Sequence, residues 1–480
     1  MKMKSKKQKN VFLSCVVILV IACVCLSVLL IGGAGISFLW PSKATEADST
    51  PAVNEVTQII TGAEEAETAT AQLQTEEPSG DEEALPVELR KAMSKIESQV
   101  IGIRGLQPTD PVERDLITAE KLEEIVTTDF FSEYTDEDAR KDVLILSALG
   151  LLPEEFELKQ FYNDLYSEQI AGFYDSEEKE MYVVQGTGFG GYEKMTYAHE
   201  YTHVLQDQIY GLEEGLGLDE ESCEADSERC AAVTALIEGD ATLTELLWFR
   251  SYATEQDYED YNKAFEDFES PVFDSAPPYM AADLYFPYEY GYIFVQLLYN
   301  DGGFDAVDAA YQDVPLSTEQ ILHPEKYPDD KPLTVKLPDL TEVLGEGWTL
   351  YDENVMGEWY TYLILNKAYE KAYRLSESIA EEAAAGWGGD AYAFYLNDAT
   401  DEVVFVMDAV WDTMDDAGEF ADAFVDYADL RWEFNPSGMD GYPTWSGENG
   451  TIVLLHESDR TLWVLAPDYE TAESLLTELQ

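Results

Sequence analysis

The sequence predicts an α+β protein: a mainly helical region with a small edge-strand sheet, followed by a C-terminal antiparallel α+β unit. Three observations predict it. Apolar residues recur at helical spacing in the first half, as in Leu89, Met93, Ile96, Val100 and again Val143, Leu144, Leu146, Leu149. Two long helical stretches fill 192–249. Beyond Gly386-Trp387-Gly388-Gly389 the pattern reads β-β-α twice, which suggests a small antiparallel sheet with helices on one face.

The chain opens with five lysines among its first nine residues, so 1–10 reads as a basic cytoplasmic tail. Residues 11–40 carry no charge, long enough for a transmembrane helix that leaves everything after it outside a bacterial plasma membrane. A cleaved signal at Val20-Ile21-Ala22-Cys23 is the alternative, but the apolar run continues well past Cys23. Residues 41–85 hold eleven acidic side chains and one lysine, the composition of a disordered linker. A helical lead-in at 86–160 is broken by Gln107-Pro108-Thr109-Asp110-Pro111 and either packs on the catalytic region or inhibits it. That region spans 161–345, and 346–480 forms the C-terminal unit.

Net charge is −69. That excludes nucleic acid and anionic lipid surfaces as favoured partners, because both would be repelled, and it favours cationic peptides at low salt. Cys223 and Cys230 lie in the segment leading to the second long helix, and outside a cell they are expected to pair; two free thiols are the alternative.

The chemistry centres on Thr196-Tyr197-Ala198-His199-Glu200-Tyr201-Thr202-His203. Residues four apart share a helix face, so His199 and His203 present two imidazoles to one point, where a zinc ion would be held. Glu200 projects beside that point, placed to take a proton from water. With four histidines in 480 residues, chance yields this motif on the order of a few times per thousand such chains. A later helix, apolar on most sides, carries Glu238 within Glu238-Gly239-Asp240-Ala241, and a buried carboxylate there needs a partner.

H-E-x-x-H followed by a glutamate on a later helix resembles the gluzincin group of zinc metallopeptidases, and the Glu-Gly-Asp-Ala setting is similar to small bacterial members of the peptidase MA-like clan. The resemblance implies a zincin-like catalytic domain holding one Zn2+ on His199, His203 and Glu238, with Glu200 as general base and a peptide or protein as substrate. The Gly-x-Met-Glu-Asn signature of zinc aminopeptidases is absent ahead of His199, and Thr242 stands four residues after Glu238 where thermolysin-like enzymes have aspartate. Pro287-Tyr288-Glu289-Tyr290-Gly291, set ahead of a hydrophobic helix, resembles the gluzincin element whose tyrosine donates to the oxyanion, which implies that role for Tyr288. His323 is the other candidate for that role, or lines a substrate pocket, or caps a helix at Pro324. Asp207, four residues after His203, is a candidate to orient its ring. Asp240 sits about 200° around the helix from Glu238 and is not expected to reach the ion.

Just ahead of the metal helix, 170–174 and 181–184 read as a hairpin, either the strand along which an extended peptide is bound or a core element. The leading expectation is a membrane-anchored zinc metallopeptidase. Its rivals are a non-catalytic surface protein on the same scaffold and a transmembrane receptor.

Overall fold

The structure, a computed structural model, describes residues 85–480 apart from 119–120, 122–123, 126–133, 170–171, 177, 185–187, 267–269, 437, 440 and 448–449. The expected tail, anchor and linker lie outside the described residues, save Leu85. Among the described residues no helix is long and apolar enough to cross a membrane.

The lead-in forms α1 (Val87–Arg104), β1 (Glu113–Ile117) and α2 (Asp136–Ala148). Helix α1 buries Met93, Ile96, Val100 and Arg104 on one face and ends at Gly105, whose φ of 85° supplies the left-handed turn that side chains resist. Thr135 and Asp138 close a capping box at the start of α2. One expectation is corrected here. Leu116 lies in strand β1, not a helix, because Pro108 and Pro111 stop helical winding and the backbone then finds its partners on a neighbouring strand.

Next come α3 (Leu158–Gln169) and the hairpin β2 (Gly172–Asp175) and β3 (Glu180–Val184). The small sheet has the order β1-β3-β2, with β1 parallel and β2 antiparallel to β3, so β2 is an edge. Then come α4 (Gly191–Tyr210), α5 (Glu220–Ala225), α6 (Ser227–Tyr252), α7 (Glu255–Glu266), α8 (Pro278–Gly302), α9 (Phe304–Ala310) and α10 (Thr318–Leu322). A disulfide joins Cys223 of α5 to Cys230 of α6.

Pro287 and Tyr288, expected ahead of a helix, lie inside α8. Burial of Tyr279, Leu284, Tyr288 and Val295 along it outweighs the one backbone hydrogen bond that Pro287 cannot donate. Helices α6 and α8 meet backbone to backbone. A Cβ on Gly239 would stand 2.1 Å from the Gly291 carbonyl oxygen, and one on Gly291 would stand 2.1 Å from that of Ala235. Only glycine at both positions allows this crossing, which brings Glu238 and Tyr288 to the same layer.

The C-terminal region holds β4 (Trp348–Asn354), α11 (Gly357–Asn366), α12 (Glu377–Ala384), β5 (Trp387–Asn397), β6 (Glu402–Trp411), α13 (Met414–Arg431), β7 (Glu433–Phe434), β8 (Thr444–Gly447), β9 (Gly450–Glu457), β10 (Arg460–Ala466) and α14 (Tyr469–Leu479). Its antiparallel sheet has the order β4-β5-β6-β10-β9-β8-β7, so the two expected hairpins join through β6 and β10. The fold is α+β.

The helices were expected on one face of this sheet; they lie on two. Phe394, Phe405 and Trp463 pack with Phe420 and Phe424 of α13, while Tyr395, Val406 and Val464 pack with Ala472 and Leu475 of α14. Successive strand residues point to opposite faces, and both sets in this sheet are apolar, so each face needs its own cover. The α13 face is continuous with the helical half: Phe286 of α8 stacks 4.7 Å from Trp359 of α11, and Asp283 accepts hydrogen bonds from Trp359 Nε1 and Tyr360 Oη.

Candidate metal centre

Helix α4 is enclosed along Met195–Asp207 by α1, α6, α7 and the β2–β3 hairpin, so every polar side chain there must find a partner inside. Helix α6 runs against it and brings Glu238 to the histidines. The Oε2 atom of Glu238 lies 3.2 Å from His199 Nε2 and 3.5 Å from His203 Nε2. Donors bonded at about 2.0–2.1 Å to a tetrahedral zinc ion stand about 3.3–3.4 Å apart, so these separations are the edges of such a tetrahedron. Ligand atoms of His199, Glu200 and His203 also fall within 4.8 Å of one another. All four side chains are buried.

The neighbours fix which ring nitrogens face Glu238. Gln206 Nε2 lies 3.0 Å from the Ile237 carbonyl and 3.0 Å from Asp240 Oδ2, both acceptors, so this end of the amide is the donor. Its Oε1 therefore accepts from His203 Nδ1, at 2.8 Å. That leaves the His203 Nε2 lone pair toward Glu238. On the other histidine, Nδ1 lies 3.3 Å from Glu245 Oε2, an ion-pair contact, and Nε2 faces Glu238. A third layer supports the second: Asp240 accepts from Arg104 Nε at 2.7 Å and from Tyr311 Oη at 2.8 Å, and Arg104 also pairs with Asp308.

With both rings neutral, the carboxylates of Glu200, Glu238 and Glu245 are buried together against no fixed cation of their own, a donor set that fits a divalent ion. In the metal-free protein the imidazoles take that part. Burial disfavours a charged His199, but Glu245 and Glu238 outweigh it and hold its pKa well above the ordinary value. Burial likewise opposes ionised Glu238, yet the pull of His203 and His199 brings it down to about 2. Glu200 goes the other way. Burial pushes it up to about 7 against the attraction of both histidines. Its Oε2 accepts the Tyr174 backbone N–H at 2.9 Å, and its Oε1 has no hydrogen-bond partner among the described residues.

Tyr288 is fully buried, with its ring centroid 6.3 Å from that of His199. One expectation is corrected. Asp207 does not orient His203: it accepts from Tyr174 Oη at 2.6 Å, Lys179 Nζ at 2.8 Å and Leu212 N–H at 3.2 Å, because the His203 ring turns its Nδ1 to the residue three ahead, not four. Of the readings of His323, the helix cap is the one found: it closes α10, and its Nε2 meets Glu358 Oε1 at 2.8 Å. Asp240, as expected, points away from the histidines and into the Arg104 network. Sequence reasoning missed Gln206, Glu245 and Arg104. Glu245 had a signal, being seven residues after Glu238 on the same face of a buried helix. Arg104, on a distant helix, had none.

A pocket of about 10 Å³, room for about one water molecule, adjoins the centre between Tyr174, Ser176, His203, Leu212, Ile237 and Glu238.

Residues 348–476 match the family described as Domain of unknown function (DUF8575). That match runs from β4 into α14 and includes no residue of the metal centre. No curated protein and no solved structure matches the chain.

Proposed function

We propose that the protein is a zinc-dependent peptidase working at this centre. The observation that carries the reading is the convergence of two imidazole Nε2 atoms and one carboxylate oxygen at tetrahedral-edge spacing, beside a second carboxylate, Glu200, with an oxygen to spare. Zinc bound there by His199, His203 and Glu238 supplies a Lewis acid that acidifies water and polarises a carbonyl. Glu200, held by Tyr174 N–H, takes the proton from the attacking water and passes it to the leaving amine. Glu245 and Gln206 keep the two rings in the ligating tautomer. Tyr288, packed beside His199, is the candidate oxyanion donor.

The substrate would be an extended peptide whose backbone seats near edge strand β2, which touches the base directly. The disulfide agrees with an oxidising compartment, and with the apolar stretch 11–40 it supports a place on the outer side of a bacterial membrane.

The test is hydrolysis of an unfolded protein by the full chain, with metal content measured in parallel. Glu200→Gln is expected to retain zinc and to lose about 10²–10⁴-fold in rate. A Glu200→Gln variant as active as the parent, or a parent that binds no zinc, would refute the reading. Zinc binding without turnover would leave the non-catalytic scaffold in its place.

A further inference from the structure

A cavity of about 1050 Å³ shares no residue with the metal centre. It opens where the helical half meets the C-terminal sheet. One wall is α5 with the start of α6, contributing Glu221, Glu224, Asp226 and Glu228. A second is β4 with β5, contributing Asp352, Glu353 and Asp390. The third is the irregular chain 332–337, where Lys336 is the one basic lining residue.

Two independent features say what this cleft takes. The first is a carboxylate left partly unmet. Glu228 accepts from Thr318, Asp226 caps α6, and Asp390 accepts from the Met356 and Gly357 N–H groups and from Trp387 Nε1. Asp352 is different. It is 4% exposed, its Oδ2 accepts from Tyr392 Oη at 2.8 Å, and its Oδ1 has no hydrogen-bond partner among the described residues. An acceptor so enclosed is costly unless a donor reaches it. Burial pushes the carboxyl of Asp352 up to about 7 and that of Asp390 up to about 6, a further sign that the walls lack positive charge.

The second feature is an open strand. Residues 350–355, of and after β4, line the cleft; the register shifts at a bulge between Leu350 and Asp352, and beyond it 352–355 still contribute four in a row where a strand face would contribute alternate ones. The cleft therefore looks onto the edge of β4. That strand is the last of its sheet, and among the described residues no backbone hydrogen bond crosses from it to 332–337. Its outward N–H and C=O groups form a template for one more strand.

We propose that this cleft binds an extended, lysine- or arginine-bearing peptide segment, added to the free edge of β4 with its cationic side chains against Asp352 and the acids of α5. A metal ion does not fit the same description, since among the described residues no acid of this cleft belongs to a group spaced to share one. The chain's own linker has the wrong sign, with eleven acidic residues and one lysine in 41–85, its lysine-rich tail 1–10 is expected on the other side of the membrane, and a second copy would bring another −69. The occupant is thus a basic segment of another protein. The disulfide acquires a purpose here. Together with the Asn354 Nδ2 bond to the Glu224 carbonyl, it fixes the acidic helix α5 to α6 on one side and β4 on the other.

The experiment is fluorescence anisotropy on the full chain with a labelled peptide of about eight residues, the length of a strand, alternating lysine and valine. One control replaces lysine with glutamate. Another replaces valine with proline, which keeps the charge and removes half the backbone donors. Only the lysine–valine peptide is expected to bind, more weakly as salt rises. Asp352→Asn, and separately the exposed pair Glu221→Gln/Glu224→Gln, should each weaken binding about tenfold. Glu473→Gln/Glu478→Gln, which removes equal charge from α14, and Glu200→Gln should not. Equal binding of the proline peptide overturns strand addition. Equal weakening by the α14 pair reduces the effect to diffuse charge and overturns the site. Should Asp352→Asn fail to fold, the α5 pair decides alone. Because Glu200→Gln is expected to bind normally, failure here and failure of the peptidase reading are separate results.

Discussion

The pair α4–α6 and the C-terminal sheet are both deeply buried, but they are held together in opposite ways. Between α4 and α6 the enclosed side chains are His199, Glu200, His203, Gln206, Glu238, Asp240 and Glu245, each matched to a neighbour by charge or hydrogen bond. In the sheet, Phe405, Val406, Trp463, Val464 and Leu465 are enclosed by one another and by two helices. The first arrangement is intolerant of losing a single partner, because the group left behind stays buried and charged. The second is tolerant of chemistry but sensitive to volume. A densely polar interior of the first kind contributes little to stability for what it costs in desolvation, and that is a reason to look for function there.

The sharpest way to break the contrast is at Asp240. Asp240→Ala strands Arg104 and unhitches Gln206, and chemical denaturation should show a loss of about 3–5 kcal/mol; a loss under 1 kcal/mol would mean that Asp308 alone suffices for the arginine. In the sheet, Leu475→Ala empties apolar space under α14 and should cost about 2–3 kcal/mol with zinc content unchanged. Glu245→Gln separates the layers of the centre. The glutamine oxygen can still face His199 Nδ1 and no carboxylate is stranded, so stability should move little, whereas zinc affinity by competition with a chelator should fall about 10–100-fold, and an unaltered affinity would remove Glu245 from the ligand-orienting role.

The smallest effect expected is on pH dependence, at a residue that ties the lead-in helix α2 to the C-terminal sheet. Asp142 of α2 accepts from Tyr134 Oη at 2.6 Å and from Tyr351 Oη of β4 at 2.8 Å, and burial pushes its pKa up to about 7 from 3.8. The folded state then holds a proton that the unfolded state has released, so this contribution is complete below about pH 4 and is lost as pH rises toward about 7. Asp142→Asn should flatten the fall in stability across that window. Equal slopes for variant and parent, measured on metal-free protein, would contradict the assignment.

Much of the molecule is legible in its sequence, and the reasons differ by residue. His199, Glu200 and His203 can be read because helical spacing is a local geometric fact. Glu238 can be read because a charge in an apolar helix demands a partner, although nothing local says which. The hairpins β5–β6 and β9–β10 come from short apolar runs rich in aromatic and β-branched residues with polar bends between them. What is missed depends on distant parts of the chain. Strand β1 pairs with β3 across some sixty residues, and no pattern within Glu113–Ile117 reveals it. Asp207 has the right spacing for His203, but Tyr174 and Lys179 arrive from the hairpin and take it. The two-faced sheet is readable in principle, since both residue sets in β6 and β10 are apolar, a sign of burial on both sides.

Tyr174 is gripped twice by the same helix, its backbone N–H by Glu200 and its phenol by Asp207, seven residues further along. Strand and helix are thereby riveted at two points along the helix axis. Any displacement of β2 against α4 must either carry the Glu200 carboxylate with it or give up one of those rivets, so the position of that carboxylate is set by the strand as much as by the helix that bears it.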